Sequence, residues 1–126
     1  MQTVMDSYAG GIKTNYRFNS GQLRLAKEKI CCIEKLSEYL YAEDHHELMF
    51  IYELRERLTV AKTLIAHLEA RKETRWHCFA ENLDHPRRDD VNFRKYVNSR
   101  TVNGEIEIIF RELVEEGQTY EHSDRP

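Results

Sequence analysis

The 126-residue sequence is short of the features that mark secreted, membrane-spanning or nucleic-acid-binding chains. It has three cysteines, Cys31, Cys32 and Cys78. An odd number, two of them adjacent and none in a CxxC pair, makes a poor disulfide framework. Free thiols in a reducing, cytoplasmic compartment are expected instead. No apolar run approaches the ~18–20 residues needed to span a bilayer. The opening "MQTVMDSYAGG" lacks the basic start and apolar stretch of a signal peptide, so neither membrane insertion nor secretion is expected. Acidic and basic residues are interspersed and the net charge is −3, which leaves no cationic stripe for nucleic acid. Five glycines are present, and none falls in the GxGxxG or GxxxxGK[ST] spacing that cradles phosphates. No internal repeat or low-complexity stretch is visible.

What remains is the composition of one soluble domain, 40% hydrophobic and 33% charged. "QTVMDSY" reads as a short helix stopped by Gly10-Gly11. "IKTNYRFNSG" reads as a loop pinned by Tyr16 and Phe18. Asn19 with Gln22 three residues on forms an imperfect capping box. Leu23, Ala26, Ile30, Ile33, Leu36 and Leu40 then recur at helical steps, opposite Lys27, Lys29, Glu34, Lys35 and Glu38. Asp44 and Glu47 open the longest helix. Its stripe of Leu48, Ile51, Leu58, Ala61, Ile65 and Leu68 is widened by Phe50, Leu54, Val60 and Leu64, too broad for one neighbour to cover. The pattern breaks after Trp76. His85-Pro86 excludes helix, and "DDVNFRKYVN" reads as a short helix capped by Asp89 or Asp90, with Phe93 and Val97 inward. Asn103-Gly104 between β-prone runs predicts a two-residue hairpin, which alone is marginal in water and needs support.

The expected fold is mainly α: a small bundle of two or three helices, spectrin-repeat-like, then an irregular segment and a short β-hairpin. The expected divisions are 1–18 short helix and loop, 19–76 helical hairpin, 77–110 irregular segment, short helix and hairpin, and 111–126 loose tail.

Chemical sites are sparse. Adjacent histidines in "DHHE" (44–47) point about 100° apart on a helix and converge poorly on one ion; capping is the simpler reading. His77-Cys78, with His67 and His85, shows no nucleophile–base spacing. Cys31-Cys32 reads as packing. The sequence therefore offers no catalytic, cofactor-binding or metal residues. "RKETRW" stands out differently, because arginine and tryptophan are enriched at interface hot spots. Arg71, Glu73, Arg75, Trp76 and His77 are the candidate interdomain interface. Arg75→Ala is expected to leave the domain's stability almost unchanged and to weaken docking.

The ordered set "HELMFIYELRERLTVAKTLIAHLEARKETRW", Asp84-His85-Pro86 and "RDDVNFRKYVNSR" resembles the C-terminal region of a flavoprotein family. That family comprises fumarate reductase and succinate dehydrogenase flavoprotein subunits, L-aspartate oxidase and the adenylylsulfate reductase α subunit. "YAGG", "HELM", "ETRW" and "YVNSR" look closest to the last of these. The resemblance runs over about residues 1–110 and departs from both branches at Trp76-His77-Cys78. It implies an excised C-terminal domain, with Met1 internal to a longer FAD-dependent oxidoreductase. It implies no cofactor in this chain and FAD in the parent protein, which exchanges electrons with iron–sulfur clusters of a partner subunit. The domain's implied role is to brace the parent's FAD-binding domain, with the iron–sulfur subunit as a second neighbour. A stand-alone helical interaction module is the alternative.

Overall fold

A computed structural model of the chain describes residues 1–114 and 116–117. Helix α1 (Gln2–Tyr8) leads through a 3-10 turn to the two-residue strand β1 (Arg17–Phe18), then to α2 (Ser20–Ser37) and α3 (His45–Ala70). The short elements β2 (Glu81–Asn82) and α4 (Asp90–Phe93) precede a hairpin of β3 (Lys95–Val102) and β4 (Glu105–Glu112). The architecture is mainly α with one β-hairpin, as the sequence predicts.

Local chemistry sets the helix starts. Asn19 Oδ1 accepts from Gln22 N at 2.8 Å, and the Gln22 side chain accepts from Asn19 N at 3.0 Å, so the capping box is complete. Asp44 accepts from Glu47 N at 2.8 Å, and Glu47 accepts in return from Glu43 N at 2.9 Å. Gly11 is needed where the chain leaves α1, since a Cβ there would sit 2.3 Å from Asp6 Cα.

The core lies where α1, α2 and the second half of α3 meet. Phe18, Leu23, Ala26, Ile30, Leu58, Ala61 and Ile65 are buried, with Met5, Ile33, Leu54 and Leu68 packed around them. The predicted stripes are correct at their centres and overextended at their ends. α2 stops at Ser37, whose hydroxyl donates to Glu34 O. Leu36 in its last turn and Leu40 beyond it are exposed, as are Leu48, Phe50, Val60 and Leu64 on α3. The long helix is thus apolar on faces that the described residues do not cover.

Three sequence expectations need correction. The helical hairpin ends at Ala70, not Trp76. The helix at "DDVNFRKYVN" is one turn, capped by Asp89, and Lys95 already begins a strand. Tyr16 is exposed, so Phe18 alone pins the loop; that loop is partly strand, because Arg17 and Phe18 pair in parallel with Glu81 and Asn82. Arg111 and Glu112 extend β4, and residue 115 and residues 118–126 of the expected loose tail lie outside the described residues.

The hairpin register runs from Lys95↔Glu112 to Val102↔Glu105. Asn103 (φ 51) and Gly104 (φ 83) form its two-residue turn, both in the left-handed region that this turn requires. The hairpin rests on α3, and Phe110 meets Phe93 with ring centroids 6.1 Å apart. The support it needs comes from within the chain.

Candidate functional site

No proline or glycine ends α3. The helix stops where Arg71, Glu73, Thr74 and Arg75 find partners outside it. Arg71 takes an extended conformation (φ −90, ψ 99), and its guanidinium donates to the carbonyls of Phe93 and Lys95, both at 3.0 Å. Thr74, 1% exposed, donates its backbone N–H to Arg87 O at 3.1 Å. Its hydroxyl donates to His85 O at 2.9 Å and accepts from Asn82 N at 2.9 Å. Residues 81–95 are thereby held against the end of the helix.

Glu73 is the hub. Its side chain is fully buried and accepts four hydrogen bonds. They come from Arg71 Nη1 at 2.6 Å, Arg75 Nε at 2.8 Å, Arg75 Nη2 at 3.0 Å and Asp89 N at 2.8 Å. Arg75 also reaches Asp90 Oδ1 at 2.8 Å. Burial is the largest single influence on the Glu73 carboxyl and pushes its pKa up. The donors from Arg75, the Asp89 amide and Arg71 together outweigh it, and the pKa lies below the ordinary value. Arg75 shifts upward, chiefly through its bond to Glu73. The expectation that Arg75 contributes little to stability is at odds with this geometry, since its guanidinium is bonded within the chain.

The candidate interface residues therefore divide. Arg71, Glu73 and Arg75 clasp α3 to α4 and β3. Trp76 and His77 point outward, with Trp76 69% exposed and His77 Nδ1 3.7 Å from Glu81 Oε1. Sequence reading missed Phe79, 74% exposed, which shares the tight turn 76–80 with Trp76. The N–H groups of Phe79 and Ala80 both return to Trp76 O, and Cys78 is held at φ 71 with its N–H on Glu81 Oε1. Asn15 and Tyr16, on the neighbouring loop, are also left-handed. The Tyr16 carbonyl accepts from Glu81 N at 2.9 Å, and that of Phe18 from Leu83 N at 2.8 Å. Arg17 pairs with Glu81 at 2.9 Å and lowers that carboxyl's pKa. Left-handed non-glycine residues carry strain that the surrounding structure must hold in place; here it aims two large aromatics at solvent.

Between the turn, α3 and β3 lies a groove of about 180 Å³, lined by Phe18, Leu68, Arg71, Trp76, Ala80 and Val97 among others. Ligand pockets usually hold ~300–1,000 Å³, and the guanidiniums that could meet a phosphate here are committed to Glu73. This groove does not fit FAD. Among the described residues no three His, Cys, Asp or Glu side chains gather as a metal site. Cys31, Cys32 and Cys78 are free, and His46 of the "DHHE" run stacks edge-on against Phe50. Among the described residues, no helix is long and apolar enough to cross a membrane.

Comparison with known proteins places this geometry. The chain is 30% identical over 95 residues to the α subunit of adenylylsulfate reductase from Megalodesulfovibrio gigas, which covers 75% of this chain and 14% of that protein. Its fold matches adenylylsulfate reductase from Archaeoglobus fulgidus with a TM-score of 0.87 at 32% identity, over 94% of this chain and 19% of that one. Quinol fumarate reductase of E. coli shares the fold at 22% identity, with a TM-score of 0.78 over 93% of this chain and 20% of that one. The sequence thus spans between a seventh and a fifth of the length of these relatives. The family model for the fumarate reductase flavoprotein C-terminus matches residues 1–125, beyond the stretch to about residue 110 on which the sequence resemblance rests. This chain belongs to the fumarate reductase flavoprotein C-terminal family.

Proposed function

We propose that this chain is the bracing domain of an FAD-dependent oxidoreductase and contributes no catalytic residue itself. The parent is of the adenylylsulfate reductase α type, the branch to which the chain is 30–32% identical; fumarate or succinate is the other candidate substrate pair. In this reading FAD lies in a separate domain and exchanges electrons with iron–sulfur clusters of a partner subunit. This chain supplies a stiff surface against which the FAD domain packs. Three free thiols suit a cytoplasmic setting.

One observation carries the reading. Trp76 and Phe79 are 69% and 74% exposed on a turn that is pinned on both sides, beside a shallow groove. Large aromatics held rigid and left in water are anchors for a packed surface. Arg71 and Arg75, by contrast, serve the anchor from behind by fixing the end of α3.

The test is the double variant Trp76→Ala, Phe79→Ala, made in the 126-residue chain and in the complete parent protein. The isolated chain should keep its thermal stability, because both side chains are mostly in water. The parent should lose bound flavin or release this domain more readily to limited proteolysis. Equal destabilisation of both, or a parent with full flavin content and unchanged protease resistance, would count against docking through this turn.

A further inference from the structure

The opposite end of the helical hairpin carries a second surface, separated from Glu73 by the ~39 Å length of α3 at 1.5 Å per residue. Tyr39 and Tyr41 are 85% and 80% exposed, and Tyr52 and Leu36 are exposed beside them. A shallow groove of about 400 Å³ runs between the 40–44 turn and the first two turns of α3, lined by Leu40, Tyr41, Leu48, Ile51 and Tyr52 among others. Exposed apolar and aromatic area gathered in one place marks contact sites more often than scattered residues do.

Charge sets this end apart. Residues 35–57 hold six acids (Glu38, Glu43, Asp44, Glu47, Glu53 and Glu56) and three bases (Lys35, Arg55 and Arg57). That excess equals the net −3 of the whole chain, so the remainder is neutral. Two of the three bases are engaged: Arg57 pairs with Glu53 at 3.2 Å, and Arg55 reaches Ser37 O at 3.5 Å. Elsewhere most carboxylates of the fold face a partner, such as Glu34 with Lys62, Glu81 with Arg17 and Glu107 with Arg100. Glu38 and Glu56 are exposed, and no ion pair reaches them or the Glu43 carboxylate among the described residues.

We propose that this tip docks a basic segment of another protein. Lysine or arginine side chains of that segment lie over the rings of Tyr39 and Tyr41 and against Glu38, Glu43 and Glu56, while its apolar residues enter the groove. Cations are drawn to aromatic faces, and a tyrosine presents a wide ring while freezing only two torsions. A second copy of this chain would bring like charge to like charge, and an anionic lipid surface would be repelled. The proposal stands apart from docking at Trp76 and does not depend on it.

The experiment places the photoreactive residue benzoylphenylalanine at position 39 or 41 of the protein as its native cells produce it. After irradiation the linked peptides are read by mass spectrometry. Cross-links to one segment of a different protein, carrying net positive charge, are expected. The triple variant Glu38→Lys, Glu43→Lys, Glu56→Lys should lose at least ten-fold in cross-link yield while circular dichroism stays unchanged. Cross-links to a second copy, to the chain's own parent, to lipid or to a neutral or acidic segment would overturn the proposal. So would an absence of cross-links, or a yield unaffected by charge reversal in a folded variant.

Discussion

Glu73→Gln replaces one carboxylate oxygen with an NH₂ group at the point where four donors converge. Each oxygen accepts two of them, Arg71 Nη1 and Arg75 Nε on Oε1 and Arg75 Nη2 and the Asp89 amide on Oε2, so in either orientation the amide NH₂ faces a guanidinium and two hydrogen bonds become donor–donor contacts. The side chains of Arg71 and Arg75 are only 28% and 19% exposed, so water compensates them poorly. Breaking a buried ion pair from one side costs about 3–5 kcal/mol. A single charged hydrogen bond is worth about 1.5–3 kcal/mol, so the cost reflects a coupled network rather than a sum. Unfolding entropy near 2.1 cal/mol/K per residue over 126 residues converts this to a melting point lower by roughly 10–20 °C. Thermal melts by circular dichroism would measure it, and hydrogen exchange should show lost protection first in residues 89–112. The pH dependence adds a sign. Glu73 has a folded pKa below its unfolded value of about 4.3, so the unfolded chain binds the proton first as pH falls. The carboxylate's stabilisation is complete above the unfolded value and disappears as pH drops through the folded one. In Glu73→Gln that part of the acid limb should be missing. A variant within about 1 kcal/mol of the parent chain, with an unchanged acid limb, would refute the hub reading.

Two further outcomes are expected. Leu58→Ala or Ile65→Ala empties a site now 1% exposed and should cost about 2–5 kcal/mol in chemical denaturation; unchanged midpoints would contradict α3 as the spine. Gly104→Ala forces a side chain to adopt φ 83 and should cost about 1–2 kcal/mol, read as lost exchange protection confined to β3 and β4. Protection lost equally across α2 and α3 would mean that the hairpin does not open on its own.

The features legible in the sequence were those set by near neighbours. Asn19 with Gln22, Asp44 with Glu47 and Asn103-Gly104 each act within three residues, so their chemistry shows in the letters. The stripe centres were equally clear, because Ile30, Leu58 and Ile65 repeat at helical spacing. The end of α3 was hidden, since Arg71 leaves the helix for carbonyls 22 and 24 residues ahead. Glu73 looked like surface because an isolated glutamate is rarely buried; only the convergence of two arginines and a distant amide makes its burial affordable. β1 and β2 are two residues each and carry no alternation to read. Phe79 had no pattern to reveal it, although its neighbour Trp76 invited attention to the turn.

The pairing of Arg17 with Glu81 also bears on the order of events during folding. Its two halves lie 64 residues apart in sequence, and closing a flexible loop of that length costs about 3.7 kcal/mol beyond a constant, by (3/2)RT ln n. Once α2 and α3 have formed an antiparallel pair, most of that chain is already folded back and the remaining gap is short. The bridge should therefore close after the rate-limiting step. Substitutions at Arg17 or Glu81 would then leave the refolding rate nearly constant and accelerate unfolding, a difference visible in the two arms of a denaturant chevron. The bridge between the loop before α2 and the segment after α3 would govern how long the native state lasts rather than how fast it is reached.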